Sequence, residues 1–511
     1  MKKATEWKVE TLPDGQKNLA LLKRGKWHYL YSKNDPAASG ERFYTSVYNG
    51  QGLYIIIGLG YYYHLLPFVH NDNSSRIIVI EPSKDLFDKV KYSHHYSNLE
   101  RSKRIQFIIG SEEIKDFIER LRGNYELLFY DRLNLLSYPI LDRLLPETYS
   151  KLKDDINRSL MDLLRDGLTI ARFAKRWLLN FKNNLENILD SYSLTSLKRF
   201  RGSCIVAAAG PSLDRVIDRL KTLDRTSYFI IAVDAAVRPL MLSGIMPDLI
   251  ISIDPQPFIR FHFFDVEKFL KKIPAILNPM VYSAVFELFD VRYTYPTRHP
   301  LFKMLKSLNT LDSKSFNYQS VSSLAVSVAN FLGFKSIYLA GFDYSYSGFR
   351  SYAIESFYYR YIFINSSRIN TFFTQDVGFV FKKVKEHGLK LTSEELLNYK
   401  QELEELIARL KNIEEDLKFY NLFSEGFEID GTERCNNLPE RFNYDCIKEA
   451  PKIKTDIDIN LKEEDESLII KPLVLYYRLI KGLKIEEAHK KAKKFWYYIF
   501  SLIKSKIKWP R

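Results

Sequence analysis

Short, largely apolar runs that stop at a glycine or an acid are the feature that most constrains how this chain folds. Each run is too short for a helix and too uniformly apolar for a strand with one solvated face, so each suits a buried parallel strand. Helix-like stretches follow most of them. The runs fall into two groups, at residues 53–57, 76–80, 105–109 and 126–130, and at residues 204–209, 228–233, 249–253 and 336–340. This pattern predicts an α/β fold with two Rossmann-like parallel-sheet domains followed by a helical C-terminal region.

The length of the chain supports the same division, because 511 residues are too many for one compact core. We expect an N-terminal Rossmann-like domain at 1–150 and a helical linker at 151–199. A central catalytic α/β domain is expected at 200–378, and a helical C-terminal domain at 379–511.

The first group of strands carries part of a dinucleotide-binding pattern. Gly58-Leu59-Gly60 follows the first run and Glu81 follows the second, the positions where such a fold holds a pyrophosphate and a ribose hydroxyl. The third glycine is missing, and Tyr61-Tyr62-Tyr63 would crowd a pyrophosphate. We therefore interpret this half as a structural or recognition domain on a Rossmann-like scaffold.

The cysteines and the chain start bear on the cellular compartment. Cys204, Cys435 and Cys446 show neither paired nor metal-ligand spacing, which fits a reducing environment. No apolar stretch follows the basic residues at the start, so we expect no signal peptide. The longest apolar runs are far below the roughly 18 residues of a membrane span. We expect a cytoplasmic protein without a membrane span.

The net charge is +14, and much of the excess lies near the end of the chain. Residues 481–511 contain ten Lys or Arg against two Glu, interleaved with aromatic residues. Such a tail could contact an acidic partner, a nucleic acid or a membrane surface. We interpret it as a packed C-terminal helix with a solvated basic face, and expect no nucleic-acid partner.

A long helix is predicted over residues 392–418. Thr392 and Glu395 have the spacing of a capping box. Apolar residues then alternate at three and four positions: Leu396, Tyr399, Leu403, Leu406, Leu410, Ile413 and Leu417. This seam could join two copies of the chain into a homo-oligomer or pack in a helical hairpin within one chain. The polar stretch from about 421 to 470 is expected to form loops.

The strongest functional signal is the turn between the strand 204–209 and the helix after it. It reads Gly210-Pro211-Ser212-Leu213, and the free N–H groups and dipole of a helix N-terminus favour an anion. Gly210 allows close backbone approach, and the Ser212 hydroxyl could cap the helix or hold a phosphate oxygen. No Walker lysine is present.

Acidic residues end the neighbouring strands of the second group. Asp234 and Asp254 follow the next two predicted strands, and Asp343 follows the strand at 336–340. Because parallel strands end at one edge of a sheet, these acids and the turn are expected to line one site. His299 is a further candidate proton acceptor.

The succession of these motifs resembles the motility accessory factor (Maf) proteins, whose central domain is related to the hydroxymethylpterin diphosphokinase MptE. The resemblance rests on five segments in order: Ala209-Gly210-Pro211-Ser212-Leu213-Asp214, Ala232-Val233-Asp234-Ala235-Ala236, Gly244-Ile245-Met246-Pro247-Asp248, Ser252-Ile253-Asp254-Pro255-Gln256 and Leu339-Ala340-Gly341-Phe342-Asp343. It covers residues 200–375, and Gly58-Leu59-Gly60, Ile80-Glu81-Pro82 and the segment 421–426 are similar to the flanking regions of that family.

The resemblance implies a sialyltransferase-like glycosyltransferase. Such an enzyme moves a nonulosonic acid, pseudaminic or legionaminic, from its CMP form to Ser or Thr of flagellin. By this analogy Gly210, Pro211, Ser212 and Leu213 cradle the donor phosphate, and Asp234 contacts the nucleotide. The catalytic base stays open among Asp254, Asp343 and His299.

Two alternatives use the same residues differently. In an MptE-like diphosphokinase acting on a hydroxymethylpterin, Asp234 and Asp254 would hold Mg²⁺. A non-catalytic flagellin-binding factor would keep the fold without the chemistry. The long flanking domains favour a macromolecular acceptor.

Overall fold

The structure is a computed structural model that describes residues 6–121, 124–296, 299–305, 316, 318–383, 385–387, 390–439, 442–448, 453–455 and 461–508. The chain forms two compact units. Unit 1 consists of Met1–Ala174 and Ile470–Lys494, and unit 2 of Lys175–Ile469 and Phe495–Arg511.

Unit 1 contains a three-stranded antiparallel sheet and a four-stranded parallel sheet. Its elements from residue 6 on are β1 (Glu6–Thr11), β2 (Lys17–Lys23), β3 (Lys26–Tyr29), α1 (Pro36–Val47), β4 (Leu53–Ile57), α2 (Leu66–His70), β5 (Arg76–Glu81), α3 (Lys84–Val90), α4 (His94–Glu100), β6 (Ile105–Ile109), α5 (Ser111–Leu121), β7 (Leu133–Ser137), α6 (Pro139–Leu144) and the start of α7 (Tyr149–Asp190). The parallel sheet has the order β6-β5-β4-β7, and all five residues of β4 are buried. Three of the four apolar runs in the first group, at residues 53–57, 76–80 and 105–109, thus form strands of the predicted Rossmann-like half.

One strand of this sheet is not where the sequence pattern places it. Residues 126–130 were expected to form the fourth strand, but Tyr125–Phe129 is a 3₁₀ helix and β7 is the strand beside β4. Two apolar runs lie close together here, and a short apolar run does not distinguish a strand from a buried turn. Leu127 and Leu128 are buried without joining the sheet.

The acid at the end of β5 is turned into the protein. The Glu81 carboxylate accepts hydrogen bonds from the backbone N–H of Leu59 (2.9 Å), the backbone N–H of Ser83 (2.8 Å) and the Tyr149 hydroxyl (2.7 Å). Complete burial raises its pKa to about 7. Glu81 therefore holds the Gly58-Leu59-Gly60 turn in place, which fits the structural interpretation of this domain.

Unit 2 is built on a ten-stranded sheet. Its elements after α7 are β8 (Tyr192–Ser193), β9 (Arg199–Ala207), α8 (Leu213–Leu220), β10 (Ile230–Val233), α9 (Asp234–Leu242), β11 (Leu249–Ser252), α10 (Glu267–Leu270), β12 (Ala275–Leu277), α11 (Ser283–Phe286), β13 (Arg292–Thr294), α12 (Val321–Leu332), β14 (Ser336–Ala340), α13 (Phe357–Ile364), α14 (Phe372–Lys383), β15 (Lys385–His387), β16 (Lys390–Thr392), α15 (Glu394–Ile413), β17 (Lys418–Leu422), β18 (Glu433–Cys435) and β19 (Tyr444–Lys448). The main path runs β18-β17-β14-β9-β10-β11-β12-β13-β8, and β19 pairs antiparallel with β9.

The polar stretch after about residue 421 was expected to form loops, but it contributes strands to the sheet. Strands β17 and β18 extend the parallel sheet beyond β14, and β19 pairs with the start of β9. Edge and near-edge strands tolerate polar residues on their exposed face, so they lack the apolar run that marks the central strands. The region ends in the predicted helices, α16 (Glu463–Leu475) and α17 (Ile485–Lys508).

The helix at 394–413 begins one residue later than the capping box suggested. The side chain of Ser393, rather than Thr392, caps it by accepting from the Leu396 N–H (3.2 Å), and the Thr392 hydroxyl donates to the Tyr344 carbonyl (2.8 Å). Leu403, Leu406 and Ile407 are buried within the chain. The homo-oligomer through this helix stays a prediction.

The basic C-terminal segment forms the amphipathic helix α17. Its buried residues recur on one face: Ala488, Ala492, Trp496, Ile499 and Ile503. The Trp496 indole donates to a Glu466 carboxylate oxygen (2.6 Å) and stacks on Phe500. Among the described helices, none has both the length and the apolar character of a membrane span.

Candidate active site

The chain order of the large sheet reverses at β9. Strands β10 to β13 follow on one side of β9, and β14 lies on its other side. In open parallel sheets, ligands bind at the carboxyl ends of the strands where the order reverses. The turn after β9 and the residues after β14 therefore form the expected binding crevice of this domain.

Two glycines let these two segments meet. The N–H of Gly210 donates to the carbonyl of Gly341 (3.0 Å), and the N–H of Ala208 donates to the carbonyl of Ala340 (2.8 Å). A Cβ on Gly210 would lie 2.5 Å from the Gly341 oxygen, and one on Gly341 would lie 2.3 Å from the Ala208 oxygen. The close approach predicted for Gly210 is thus an approach to another part of the chain.

Ser212 is bonded to the acid after β14. Both its backbone N–H and its hydroxyl donate to Asp343 Oδ2, each at 2.9 Å. The Ser212 hydroxyl makes no capping bond to α8. Asp343 is almost fully buried, and burial raises the pKa of its carboxyl group. The Asp343 carboxylate therefore accepts hydrogen bonds from the Ser212 N–H and hydroxyl at the N-terminus of α8. From the sequence, these groups were expected to bind the phosphate of the CMP sugar.

Asp234 and Asp254 form a second polar centre, at the ends of β10 and β11. Asp234 is buried, with Oδ2 accepting from the Ser252 hydroxyl (3.0 Å) and Oδ1 from the Ala235 N–H (2.8 Å). Burial, with a smaller effect from the charge of Asp254, raises the pKa of Asp234 to about 7. Asp254 is only half-buried, and burial raises its pKa also. In sheet order, Asp343, the Ser212 turn, Asp234 and Asp254 follow β14, β9, β10 and β11, so the structure brings them to one edge as predicted.

A loop that the sequence left unassigned covers the turn and the start of α8. The N–H of Ala353 donates to the carbonyl of Ala209 (2.9 Å), and the N–H of Ile354 donates to Asp214 Oδ1 (3.1 Å). Arg350 forms an ion pair with Asp214 and reaches the Pro211 carbonyl (3.4 Å). These bonds hold residues 350–354 over the candidate site.

Arg238 ties the same loop to α9. Its side chain is 4% exposed, and its guanidinium pairs with Asp265 Oδ2 (3.0 Å) and donates to the carbonyl of Glu355. Arg238 lies one turn after Asp234, and residues four apart lie on one face of a helix. That spacing is the sequence signal that could have identified it.

The second half of α7 positions the loops after β11 and β12. The side-chain amide of Asn180 donates to the carbonyls of Pro255 (2.9 Å) and Met280 (3.0 Å), and that of Asn184 donates to Pro279 (2.9 Å) and Val281 (2.8 Å). The charge of Arg176, four residues earlier, lowers the pKa of Asp254 against the larger effect of burial. This helix was predicted as a linker, yet it fixes the backbone beside Asp254.

His299 lies farther along the sheet, after β13. Its Nδ1 accepts from the Leu301 N–H (3.3 Å), and its ring meets Trp177 edge-on at 5.4 Å between centroids. Burial lowers its pKa to about 4. The position after β13 is four strands from β9, or about 19 Å at the usual strand spacing.

The segment after β17 completes the surroundings of Asp343. The N–H of Phe427 donates to the Asp343 carbonyl (2.9 Å), and a Cβ on Gly426 would lie 1.8 Å from that oxygen. In the sequence, this segment is marked only by its similarity to a flanking region of the Maf family. Within the described part of the chain, no group of three or more His, Cys, Asp or Glu side chains could hold a metal ion.

Comparisons with known proteins relate this part of the chain to a described family. Residues 179–349 match a family described as 6-hydroxymethylpterin diphosphokinase MptE-like, a stretch that contains the Gly210–Leu213 turn, Asp234, Asp254 and Asp343. The chain is 30% identical over 112 residues to an uncharacterized protein of Treponema pallidum (strain Nichols); the match covers 22% of this chain and about half (52%) of that relative's length.

A solved structure extends the likeness to the rest of the chain. The structure of a Maf glycosyltransferase from Magnetospirillum magneticum AMB-1 superimposes with a TM-score of 0.61 at 15% sequence identity. The match covers 98% of this chain and 90% of that chain. The protein thus contains an MptE-like domain and has the fold of a Maf glycosyltransferase over nearly its whole length.

Proposed function

We propose that this protein is a glycosyltransferase that moves a nonulosonic acid, pseudaminic or legionaminic, from its CMP form to Ser or Thr of flagellin. The observation that carries the proposal is the Ser212–Asp343 connection at the reversal point of the sheet, within a Maf glycosyltransferase fold. The connection fixes a strand-turn-helix segment at the edge where such folds bind ligands.

The donor nucleotide is assigned to the edge above β9 and β10. Gly210, Pro211, Ser212 and Leu213 form its floor, and Asp234 lies beside it. Asp343 acts through Ser212 by holding the turn in shape. In the reaction the acceptor oxygen bonds to the anomeric carbon, the bond from that carbon to the phosphate oxygen breaks, and CMP leaves with the electron pair.

We assign the removal of the proton from the acceptor hydroxyl to the pair of carboxyl groups of Asp254 and Asp234. Asp254 is half-exposed and can reach a substrate, whereas Asp234 is buried beside it. A base works best when its pKa lies near the working pH, and burial raises the pKa of Asp254 and brings that of Asp234 to about 7. Asp343 is committed to Ser212, and His299 has a pKa of about 4 and follows a distant strand. Asp254 is therefore the preferred base.

A protein acceptor is supported by exposed apolar side chains beside the site. The α13–α14 hairpin continues from the loop that covers the Ser212 turn. It exposes Tyr361, Phe363, Ile364, Ile369 and Phe373, of which Ile369 is 95% exposed. Clusters of exposed apolar residues mark protein interaction surfaces. No carboxylate occurs from residue 356 to residue 375, and Arg360 and Arg368 are the charged residues of that stretch.

The MptE-like match favours one second candidate, a diphosphokinase acting on a hydroxymethylpterin. Asp234 and Asp254 fit this role, because Mg²⁺ at phosphate sites is commonly held by one or two carboxylates plus phosphate oxygens and water. Bound there, the ion would neutralise the charge of the transferred diphosphate.

One parallel assay separates these functions. The purified protein is incubated with flagellin and each CMP sugar, and separately with ATP and 6-hydroxymethylpterin. Transfer of one sugar mass per site with release of CMP supports the proposal. Formation of pterin diphosphate without any change in flagellin mass would replace it with the kinase function, and co-purification of flagellin without either reaction would indicate a binding factor.

A further inference from the structure

A cavity in unit 1 lies at the edge of the small parallel sheet opposite the Gly58-Leu59-Gly60 turn. It has a volume of about 400 Å³ and is lined by the first residues of β4, β5 and β6 and by the end of α5. This volume lies within the usual range of small-molecule sites, roughly 300–1,000 Å³. Every described residue that lines the cavity belongs to unit 1.

The charges that line the cavity are almost all positive. Among the described residues, its lining includes Arg76, Lys103, Arg104 and Arg120 against a single carboxylate, Glu126. An oxygen of Glu126 lies 2.7 Å from the Lys471 ammonium group, so its charge is already paired. The remaining positive charge would attract and hold an anion.

Arg104 is the fixed element of this cluster. Its Nη1 donates to the Ser75 carbonyl (3.0 Å) and its Nη2 donates to the Val69 carbonyl (3.1 Å). Within the described ranges no carboxylate forms an ion pair with it. The nearby Asp72 accepts instead from Tyr48, Ser74 and Ser75. A half-buried guanidinium held by neutral carbonyls alone leaves a charge that a bound anion would compensate.

Apolar side chains form part of the cavity wall, beside its charged groups. Phe117, Leu121 and Leu127 are buried in it, and Tyr130 offers an aromatic ring at its side. An inorganic anion would leave this wall uncovered, whereas a phosphate attached to a ring system would use both surfaces. We propose that this cavity binds a small phosphate-bearing organic anion, a nucleotide or a sugar phosphate, independently of the transferase site.

Equilibrium dialysis of the full-length protein tests the proposal with three probes: CMP, glucose 6-phosphate and inorganic pyrophosphate. Hydrogen exchange read by mass spectrometry then locates each probe. At least one organic phosphate should bind more tightly than pyrophosphate and protect peptides that cover residues 100–121. Tighter binding of CMP would identify the ligand class as a nucleotide, and tighter binding of glucose 6-phosphate would identify it as a sugar phosphate.

Paired variants decide whether the cations are responsible. Lys103→Glu combined with Arg120→Glu changes two exposed residues and should weaken binding by about tenfold or more, because charge-assisted bonds to phosphate are lost. Lys26→Ala combined with Lys115→Ala removes two exposed cations elsewhere in unit 1 and should leave binding unchanged.

Three results would overturn the assignment. The first is that no probe binds at millimolar concentration. The second is that the native protein and the Lys103→Glu/Arg120→Glu variant bind with equal affinity. The third is that protection is confined to peptides around residues 205–215. Arg104→Met adds a second check at the fixed guanidinium, provided that its thermal unfolding remains cooperative.

Discussion

Ser212 and Asp343 are joined by two hydrogen bonds across the reversal point of the sheet, although 131 positions separate them in the chain. The bonds connect the end of β9 to the end of β14, and both residues are buried. They fix the turn after β9 against the end of β14 at the edge where we propose that the donor binds.

Removing the carboxylate of Asp343, which accepts both hydrogen bonds, should destabilise the protein more than replacing it with a neutral amide. Asp343→Ala leaves the buried N–H and hydroxyl of Ser212 without their acceptor, which costs about 1–3 kcal/mol. Asp343→Asn keeps an acceptor oxygen and should lose less. Urea unfolding of the three proteins measures the difference, and equal losses for Ala and Asn would show that the hydrogen bonds to Ser212 do not stabilise the fold.

A methyl group at Gly210 should disturb the same junction. Its Cβ would lie 2.4 Å from Asp343 Oδ2 and 2.5 Å from the Gly341 oxygen. We expect Gly210→Ala to lower the free energy of unfolding by about 1–3 kcal/mol, as overpacking in a tight core does. Gly378→Ala is the matched control, because no described atom lies within 4 Å of its Cβ and alanine favours a helix. Equal stability of the two variants would contradict the packing seen at Gly210.

The buried acids predict how stability varies with pH. The pKa of Asp234 is about 7 in the folded protein against an ordinary value of 3.8, so the folded state binds more protons between these values. The free energy of unfolding should therefore fall as pH rises from about 4 to about 7. Asp234→Asn should make this decline less steep but not abolish it, because Glu81 also titrates at about 7. An unchanged slope would mean that Asp234 is ionised with its ordinary pKa.

Two variants separate stability from catalysis. Asp234→Asn removes the carboxyl group whose pKa is about 7 and leaves Asp254 to titrate alone, so the lower inflection of the activity profile should move to lower pH. Glu81→Gln alters only unit 1 and should leave that inflection in place. If both variants move it equally, the inflection does not report the Asp234–Asp254 pair.

The exposed hairpin is expected to contribute to recognition of the acceptor. Replacing Phe363 and Phe373, both 73% exposed, by Ser should raise the KM for flagellin by about fivefold or more, since buried aromatic residues often dominate binding at interfaces. Phe269→Ser removes a 48% exposed aromatic from α10 and serves as the control. Equal KM values in all three proteins would place acceptor binding elsewhere.

The central strands and the strand-end acids could be predicted from the sequence, because a buried parallel strand needs an unbroken apolar run. Strand β7 was misplaced since two such runs lie close together and only pairing with β4 decides between them. Strands β17 to β19 are polar enough to resemble loops. Local sequence patterns identify strands and helices well, but they do not show which strands pair with each other.

At the candidate site, too, the sequence predicts positions along the chain better than contacts between distant segments. The positions of Gly210, Asp234, Asp254 and Asp343 along one edge follow from their place after parallel strands. That Asp343 bonds Ser212 depends on a contact between distant segments, which no spacing reveals. The roles of Asn180 and Asn184 could have been suspected from two amides four residues apart in a helix.

Intact mass spectrometry of flagellin is the most direct test of the proposed function. Flagellin is incubated with CMP-pseudaminic or CMP-legionaminic acid and either the native protein or Asp254→Asn. The account predicts an added sugar mass per modified Ser or Thr with native protein and one donor, and a rate reduced by about 100-fold or more in the variant, as expected for loss of a general base. An unchanged flagellin mass with both donors, under conditions where the native protein is folded, would contradict it.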